Sequence, residues 1–313
     1  MSQALICCSH SPVMLGAMEP ADRQAEHEIR QGFENAGKWL REFSPDLIVM
    51  FVPDHLNGLF YDLMPSFIVG LDAEGTIDWD IEPGALRVPK DIALNCVEWI
   101  HEAGIDAAFS HRLTVDHGTT IPLNYLTGGL DIYPVLPIII NCVAPPLPSF
   151  KRTRLLGEAV GKFIAQLDAR VIVLGSGGLS HDPPNLPISE VSEDAKEWMI
   201  NHHDGTKEFL DRRQARVIEA AKQMAQGGGT RIPPDEEWDR KFLEMLLERD
   251  FAACDALNER TITKIAGHGG NEVRCWIAAV SAMNAIGEYT AEVDFYRAIP
   301  EWLTGMAMMR GHQ

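Results

Sequence analysis

The chain has 313 residues, of which 46% are hydrophobic and 23% are charged, so it is long enough to bury a large core. Its formal net charge of −18 argues against binding to nucleic acid or to anionic membrane surfaces, because both need clustered lysine and arginine. Its six cysteines form no C-x-x-C pair and several lie in apolar runs, which predicts reduced thiols in a cytoplasmic protein. No segment has the pattern of a signal peptide or the length of a membrane span.

Apolar runs and helical patterns alternate through the first half of the chain. In chain order they predict a strand at 4–8, a helix at 20–43, a strand at 47–52, an irregular stretch at 59–88, a helix at 89–103, a strand at 105–111, a short helix or turn at 122–129, a strand at 135–141, a helix capped by Thr153 and a strand at 170–174. Proline cannot donate to a ladder, so Pro137 leaves two starts open for the strand at 135–141, Val135 or Ile138. Strand, helix and strand in succession are typical of βαβ units with right-handed crossovers.

The last third of the sequence is mostly helical in pattern. Helices are predicted at 206–225, 236–248, 255–266 and 272–286, and a short run of three glycines forms a loop after the first of them. Because this loop is short, we interpret it as lying within one domain. The whole chain, residues 1–313, is predicted to form a single α/β domain with a central, mostly parallel sheet flanked by helices and a largely helical C-terminal third.

Histidines follow several of the predicted strands. Of the 11 histidines, His10, His55, His117 and His181 lie in loops after strand-like runs, and His55 follows the strand at 47–52 closely. A single histidine in such a place is most often structural. Several together indicate a site, because the C-terminal ends of parallel strands lie along one edge of a sheet, where open α/β proteins bind their ligands.

Histidines near a carboxylate suggest a metal. Two neutral imidazoles and one carboxylate on one face of an octahedral metal leave three positions open, as in non-haem Fe(II) enzymes that use O2. Glu272 stands out among 45 acidic residues because it begins an amphipathic helix behind Gly269-Gly270-Asn271, although the helix dipole also favours an acid there. The glycine-rich stretch at 175–178 has neither the Lys-Ser/Thr of a P-loop nor the G-x-G-x-x-G spacing, so a nucleotide site is not favoured.

Five segments of the sequence resemble the class III extradiol ring-cleaving dioxygenases. They are Cys8-Ser9-His10-Ser11-Pro12, Pro53-Asp54-His55, Val115-Asp116-His117-Gly118, Gly175-Ser176-Gly177-Gly178-Leu179-Ser180-His181 and Gly270-Asn271-Glu272. Their order and spacing match the family along nearly the whole chain, and two further segments add to the match, Leu147-Pro148 and Arg297-Ala298-Ile299-Pro300-Glu301-Trp302. The resemblance implies an oxidoreductase that opens a catechol ring and incorporates both atoms of O2.

The resemblance also implies roles for individual residues. His10, His55 and Glu272 correspond to the family's Fe(II) ligands, so the implied cofactor is Fe(II). His117 and His181 correspond to its two catalytic histidines, which bind the catechol and move protons, and which of them is the acid stays open. The implied substrates are O2 and a 3-substituted catechol such as 2,3-dihydroxyphenylpropionate. The family suggests a homo-oligomer, and no nucleic acid or membrane partner is expected.

Two other kinds of function could use the same residues. One is a metal-dependent hydrolase in which zinc takes the place of iron and the histidines activate water. The other is a non-catalytic interaction protein that keeps the fold.

Asp116, beside His117, is expected to orient the site. A propionate side chain on the substrate needs a local cation, and Lys151, Arg152 and Arg297 are candidates for it.

Overall fold

The structure is a computed structural model that describes residues 2–184, 188–201 and 207–313. Its strands are β1 (Gln3–Cys8), β2 (Leu47–Val52), β3 (Phe67–Gly70), β4 (Ala73–Gly75), β5 (Gly84–Ala85), β6 (Ala108–Ser110), β7 (Leu113–Val115), β8 (Val135–Ile140), β9 (Val171–Ser176), β10 (Thr290–Ile299) and β11 (Thr304–His312). Its α-helices are α1 (Arg23–Phe43), α2 (Lys90–Glu102), α3 (His117–Thr127), α4 (Phe150–Ile164), α5 (Glu193–Ile200), α6 (Lys207–Ala225), α7 (Glu236–Leu247), α8 (Phe251–Ala256), α9 (Glu259–Ala266) and α10 (Val273–Ile286).

A large sheet organises the molecule. Within the described residues it has eight strands in the order β10-β11-β1-β9-β2-β8-β3-β6, and β5, β4 and β7 form a second, small sheet. The central strands β1, β9, β2 and β8 run parallel to one another. At the two ends of this group, β11 pairs antiparallel with β1, and β3 pairs antiparallel with β8. The central strands are buried along their whole length, as parallel strands covered on both faces require. The predicted α/β domain with a mostly parallel sheet is confirmed.

The core forms two apolar layers, one on each face of the sheet. Helices α2, α4 and α10 pack on one face, and α1 and α3 pack on the other. All six cysteines are buried with free thiols, as their positions in apolar runs predict. No helix in the described part of the chain combines the length and the apolar character that crossing a membrane requires.

The structure decides one open alternative and differs from two local predictions. Strand β8 begins at Val135 and includes Pro137. The pairing of β8 with β2 includes Pro137, whereas its pairing with β3 begins only at Ile138. Pro137, which has no N–H to donate, therefore lies just outside the β3–β8 ladder. Helix α4 is capped by Ser149 and not by Thr153. The Ser149 hydroxyl accepts the backbone N–H of Arg152. The strand predicted at 105–111 is only the short strand β6 at one end of the sheet.

The C-terminal third contains two strands in addition to its helices. Strands β10 and β11 follow α10 and pair antiparallel, and they extend the large sheet beyond β1. The sequence patterns do not predict them, because β10 mixes polar and apolar residues and is only partly buried as an edge strand. Helices α6, α7 and α10 agree with the predicted ones, apart from the start predicted at Thr206, which lies outside the described residues.

Candidate active site

The C-terminal ends of three neighbouring parallel strands carry three of the predicted histidines. Strands β1, β9 and β2 are adjacent in the sheet and lead to His10, His181 and His55. His117 comes from a different direction, since it follows β7 of the small sheet and is the first residue of α3. The rings of His55 and His117 stack with their centroids 4.1 Å apart, and the ring of His10 lies 5.4 Å from that of His55. All four imidazoles line one cavity.

A hydroxyl fixes the orientation of the buried His10 ring. The Ser176 hydroxyl donates to the Gly118 carbonyl at 2.8 Å and lies 2.7 Å from His10 Nδ1. Because a hydroxyl has one proton to give, Nδ1 must be the protonated nitrogen, and Nε2 turns its lone pair toward Glu272 Oε2 at 3.7 Å. Burial lowers the pKa of His10 to about 3, so the ring is neutral. A bare nitrogen facing a carboxylate oxygen is an arrangement that a cation stabilises.

His55 is held by Asp116 on one side and faces Glu272 on the other. The Asp116 carboxylate accepts the backbone N–H of His55 at 2.8 Å and lies 3.0 Å from its Nδ1. Nε2 lies 3.2 Å from Glu272 Oε1. Burial alone would lower the pKa of His55, but the charges of Asp116 and Glu272 raise it well above its ordinary value. Asp116 therefore orients His55 and not His117, the residue that follows Asp116 in the sequence.

Glu272 enters the site at the end of a short 3₁₀ turn, Gly269–Glu272, that precedes α10. Its carboxylate is buried, and Oε1 lies within hydrogen-bond distance of both His55 and His181. Oε2 accepts the backbone N–H of Gly178 at 3.0 Å. Burial would raise the pKa of Glu272, but positive charge on His181 and His55 holds it well below its ordinary value. The structure therefore places one ionised carboxylate among the imidazoles.

Backbone contacts position His181. Its Nδ1 donates to the Leu179 carbonyl at 2.9 Å, which leaves Nε2 facing Glu272 Oε1 at 3.1 Å. The ring lies directly against Gly269, where a Cβ atom would overlap it, so the residue at this position has to be glycine. Burial alone would lower the pKa of His181, but the carboxylate of Glu272 and the Leu179 carbonyl raise it above its ordinary value.

Asp239 of α7 anchors the loop between β9 and His181 from behind. Its carboxylate accepts the backbone N–H of Ser180 at 2.8 Å, the Ser180 hydroxyl at 2.7 Å and the Tyr296 hydroxyl at 2.8 Å. Burial raises the pKa of Asp239 to about 6, although these hydrogen bonds oppose the change. The loop that carries His181 is therefore fixed by a buried carboxyl group that does not itself line the cavity.

His117 is paired with Asp78, which sequence analysis did not select. Its Nδ1 is hydrogen-bonded to the Asp78 carboxylate, so Nε2 is the nitrogen left for a ligand. The side-chain amide of Asn57 donates to both Asp78 and Asp116, which joins the supports of His117 and His55 into one network. Asp78 lies buried in the irregular stretch between β4 and β5, and nothing in its sequence surroundings distinguishes it from the other acids there.

The donor set fits a metal ion. Ligand atoms of His10, His55 and His117 lie within 4.8 Å of one another, and Glu272 oxygens lie 3.7 Å and 3.2 Å from the Nε2 atoms of His10 and His55. Imidazole nitrogens with one carboxylate are the ligands of non-haem iron sites, and such imidazoles are normally held through their other nitrogen, as they are here. The protein can therefore hold a divalent metal at this point.

A cavity lies beside the four histidines, and both polar and apolar side chains line it. Residues of α6 form part of its wall, namely Leu210, Arg213, Gln214, Arg216 and Val217. None of the three cations considered from the sequence, Lys151, Arg152 and Arg297, is among the described residues that line it. Arg213 and Arg216 line it instead, and sequence analysis missed both.

Comparison with known proteins identifies the family. The model of a family described as the catalytic LigB subunit of aromatic ring-opening dioxygenase matches residues 4–307. The chain belongs to this family. Several proteins similar to this chain are named 2,3-dihydroxyphenylpropionate/2,3-dihydroxicinnamic acid 1,2-dioxygenase. That of Photorhabdus laumondii subsp. laumondii is 44% identical over 309 residues, or 99% of this chain and 97% of that protein.

Two further comparisons agree with this result. The protein of the same name from Cupriavidus pinatubonensis is 43% identical over 305 residues, or 97% of this chain and 96% of that protein. One from Dechloromonas aromatica, whose name ends in the numeral 1, is 43% identical over 313 residues and matches over the whole of both chains. The crystal structure of an uncharacterized protein, JW3007 from Escherichia coli K12, has a TM-score of 0.50 and 13% identity over 98% of each chain, which shows a shared fold alone.

LigB family membership confirms the predicted resemblance. The protein is an aromatic ring-opening dioxygenase, an oxidoreductase of a metal-dependent family, and its structure contains a buried cluster of histidine and acidic residues. The two alternatives, a zinc hydrolase and a non-catalytic interaction protein, do not agree with this membership. The sequence comparisons and the buried cluster of possible metal ligands thus both agree with metal-dependent opening of an aromatic ring.

Proposed function

We propose that the protein is an Fe(II)-dependent extradiol dioxygenase that cleaves a 3-substituted catechol, such as 2,3-dihydroxyphenylpropionate, beside its two hydroxyl groups. The product is a hydroxymuconic-type semialdehyde or keto acid. The observation that carries the proposal is the convergence of His10, His55 and Glu272 in one cavity. The substrate class is supported by the names of relatives that are 43–44% identical over nearly the whole chain.

His10, His55 and Glu272 are the residues that would hold the iron. The imidazoles turn Nε2 toward the carboxylate because Ser176 and Asp116 engage their Nδ1 atoms. Bound there, Fe(II) supplies a centre at which catechol and O2 meet and exchange electrons. Because Glu272 would be the one carboxylate among the ligands, a bound divalent ion would keep a net positive charge, which would favour an anionic catechol.

His117 and His181 are the residues that would move protons. A catechol loses hydroxyl protons when it binds as an anion, and ring opening needs a proton to be returned to oxygen. Asp78 engages Nδ1 of His117 and the Leu179 carbonyl accepts from Nδ1 of His181, so in both rings Nε2 is the atom that exchanges protons with the substrate. One of the two accepts a proton from the catechol and the other donates one.

Oxygen uptake tests the proposal directly. The protein is loaded with Fe(II) without oxygen and offered a panel of 3-substituted catechols, while an oxygen electrode and the absorbance of the ring-cleaved product are followed together. We expect equal molar consumption of O2 and catechol with a yellow extradiol product, and no turnover with Zn(II) in place of Fe(II). Protein that binds Fe(II) stoichiometrically but consumes no O2 with any catechol of the panel contradicts the proposal.

Three statements about the protein as a whole stay predictions of the sequence. They are a single domain spanning residues 1–313, a homo-oligomeric state and a cytoplasmic location. Light scattering during size-exclusion chromatography measures the oligomeric state, and a mass equal to one chain of 34.7 kDa would contradict it.

A further inference from the structure

The cavity wall formed by α6 carries a guanidinium group that is held by neutral partners. Arg213 donates to Asn57 Oδ1 at 2.7 Å and to the backbone carbonyl of His55 at 2.9 Å. Its Cζ atom lies 4.9 Å from the centre of the Trp198 ring. Within the described part of the chain, Arg213 forms no ion pair with a carboxylate. The group is therefore fixed in position while its charge is left without a direct counter-ion.

The acids nearest to Arg213 are occupied by other groups. Asp78, Asp116 and Asp54 act on Arg213 electrostatically. Asp78 is bonded to His117, Asp116 to His55 and both to Asn57, whereas Asp54 accepts backbone N–H groups of its own loop. Burial lowers the pKa of Arg213, yet an arginine side chain remains protonated near neutral pH. In a protein with a net charge of −18, an anionic substrate needs such a local cation to bind.

The surroundings of Arg213 fit the rest of an aromatic acid. Leu210, Val217, Pro183 and Pro184 line the same cavity and offer apolar contacts to a ring and its methylene groups. The planar guanidinium matches a carboxylate, because it can form two parallel hydrogen bonds with it. The wall thus combines an apolar surface with a positioned carboxylate receptor.

We propose that Arg213 binds the carboxylate at the end of the substrate's side chain and so selects carboxylated catechols over uncharged ones. The inference rests on the proposed function, because it requires the catechol ring to bind beside His10, His55 and Glu272. The hydrogen bond to the His55 carbonyl keeps the guanidinium next to that region. Arg216 lines the cavity three residues further along α6 but is exposed, so its contribution is smaller.

A pair of substrates that differ only in charge tests the inference. Iron-loaded wild-type protein and Arg213→Met are compared on 2,3-dihydroxyphenylpropionate and on 3-propylcatechol, whose side chain has a similar length but no carboxylate. We expect kcat/KM of the variant to fall about 10- to 100-fold for the carboxylated substrate, the effect of losing hydrogen bonds to a charged group. For 3-propylcatechol it should change less than about 3-fold.

Matched variants separate substrate binding from support of the fold. Arg212→Met removes an exposed arginine of the same helix that is not among the residues lining the cavity, and it should leave both substrates unaffected. Arg213→Lys keeps the charge but not the planar pair of donors, so it should recover part of the selectivity for the carboxylate. It also provides the comparison if Arg213→Met does not fold. Iron content is measured in every variant.

The outcomes distinguish this inference from the proposed function. An equal fall of kcat/KM for both substrates in Arg213→Met would show that the residue only supports the segment carrying His55, and would overturn the inference. Unchanged kinetics with the carboxylated substrate would overturn it as well. Ring cleavage of neither catechol by the wild-type protein would overturn the proposed function and this inference together.

Discussion

The two walls of the cavity differ in how their polar groups are paired. The sheet wall consists of His10, His55, His117, His181 and Glu272. The helix wall consists of Leu210, Arg213, Gln214, Arg216 and Val217. In the sheet wall each imidazole has its Nδ1 atom engaged by a neighbour. In the helix wall the arginines have no carboxylate bound to them among the described residues, and most side chains are partly or fully exposed. The comparison suggests that one wall performs the chemistry with preorganised groups and the other chooses the substrate.

Removing a metal ligand from the sheet wall should have the largest effect. His10→Ala, His55→Ala and Glu272→Ala should each lose bound Fe(II) and fall to background activity, because the remaining two ligands hold the ion weakly. Metal content after desalting, measured by mass spectrometry, gives the result. His117→Gln is the informative comparison, since His117 also lies within 4.8 Å of the other two histidines, yet it should retain iron. Full iron in a ligand variant, or its loss in His117→Gln, would contradict the assignment.

Removing a proton carrier from the same wall should have the second largest effect. His117→Gln and His181→Gln should keep iron but lose turnover by about 10²- to 10⁴-fold, because glutamine cannot exchange protons near neutral pH. The measurement is kcat for the iron-loaded variants at saturating catechol. His101→Gln is a suitable control, since its Nε2 is bonded to the Ala107 carbonyl and it lies outside the cavity. Wild-type turnover in either of the first two variants would remove that residue from the mechanism.

Changing the support behind the sheet wall should affect stability more than chemistry. Burial raises the pKa of Asp239 from its ordinary value of 3.8 to about 6 in the folded protein. Because the folded-state pKa is the higher one, this carboxyl is more favourable to the fold below about pH 4. That contribution, about 3 kcal/mol at most, is lost as the pH rises through about 6. Asp239→Asn cannot ionise, so its free energy of unfolding relative to the wild type should rise over this range.

Urea denaturation at about pH 4 and about pH 7 measures the effect of Asp239→Asn. The variant keeps an oxygen that can accept the Ser180 N–H, so its iron content and turnover should change much less than those of the histidine variants. A difference in unfolding free energy that is the same at both pH values would contradict the role assigned to the buried carboxyl group.

Most of the sheet wall follows from local sequence. The strands that lead to His10, His55 and His181 are continuous apolar runs, and parallel strands place such residues at one edge of the sheet. Glu272 is detectable because it begins an amphipathic helical pattern after Gly269-Gly270-Asn271. His117 is harder to place, since its strand belongs to the small sheet and it reaches the others only through the fold.

The helix wall and the supports of the histidines do not follow from local sequence. Arg213 lies in a polar helix beside Arg212 and Arg216, and the helical pattern does not show that Arg213 and Arg216 line the cavity while Arg212 does not. Asp78 contacts His117, 39 residues further along the chain, and only the tertiary structure brings them together. The edge strand β10 is not predicted for a related reason. Its residues are partly polar, and pairing with β11 stabilises them as a strand.

The Ser176 hydroxyl has a consequence for how the molecule opens. It belongs to the large sheet, but its bonds reach His10 after β1 and the carbonyl of Gly118 in α3, the helix that follows the small sheet. The histidine site is therefore also the joint between the two sheets. We expect β4 and β7 to open more readily as a local unfolding unit when no ion is bound at this joint. Amide hydrogen exchange in these two strands would then report metal loss before activity or global stability is measured.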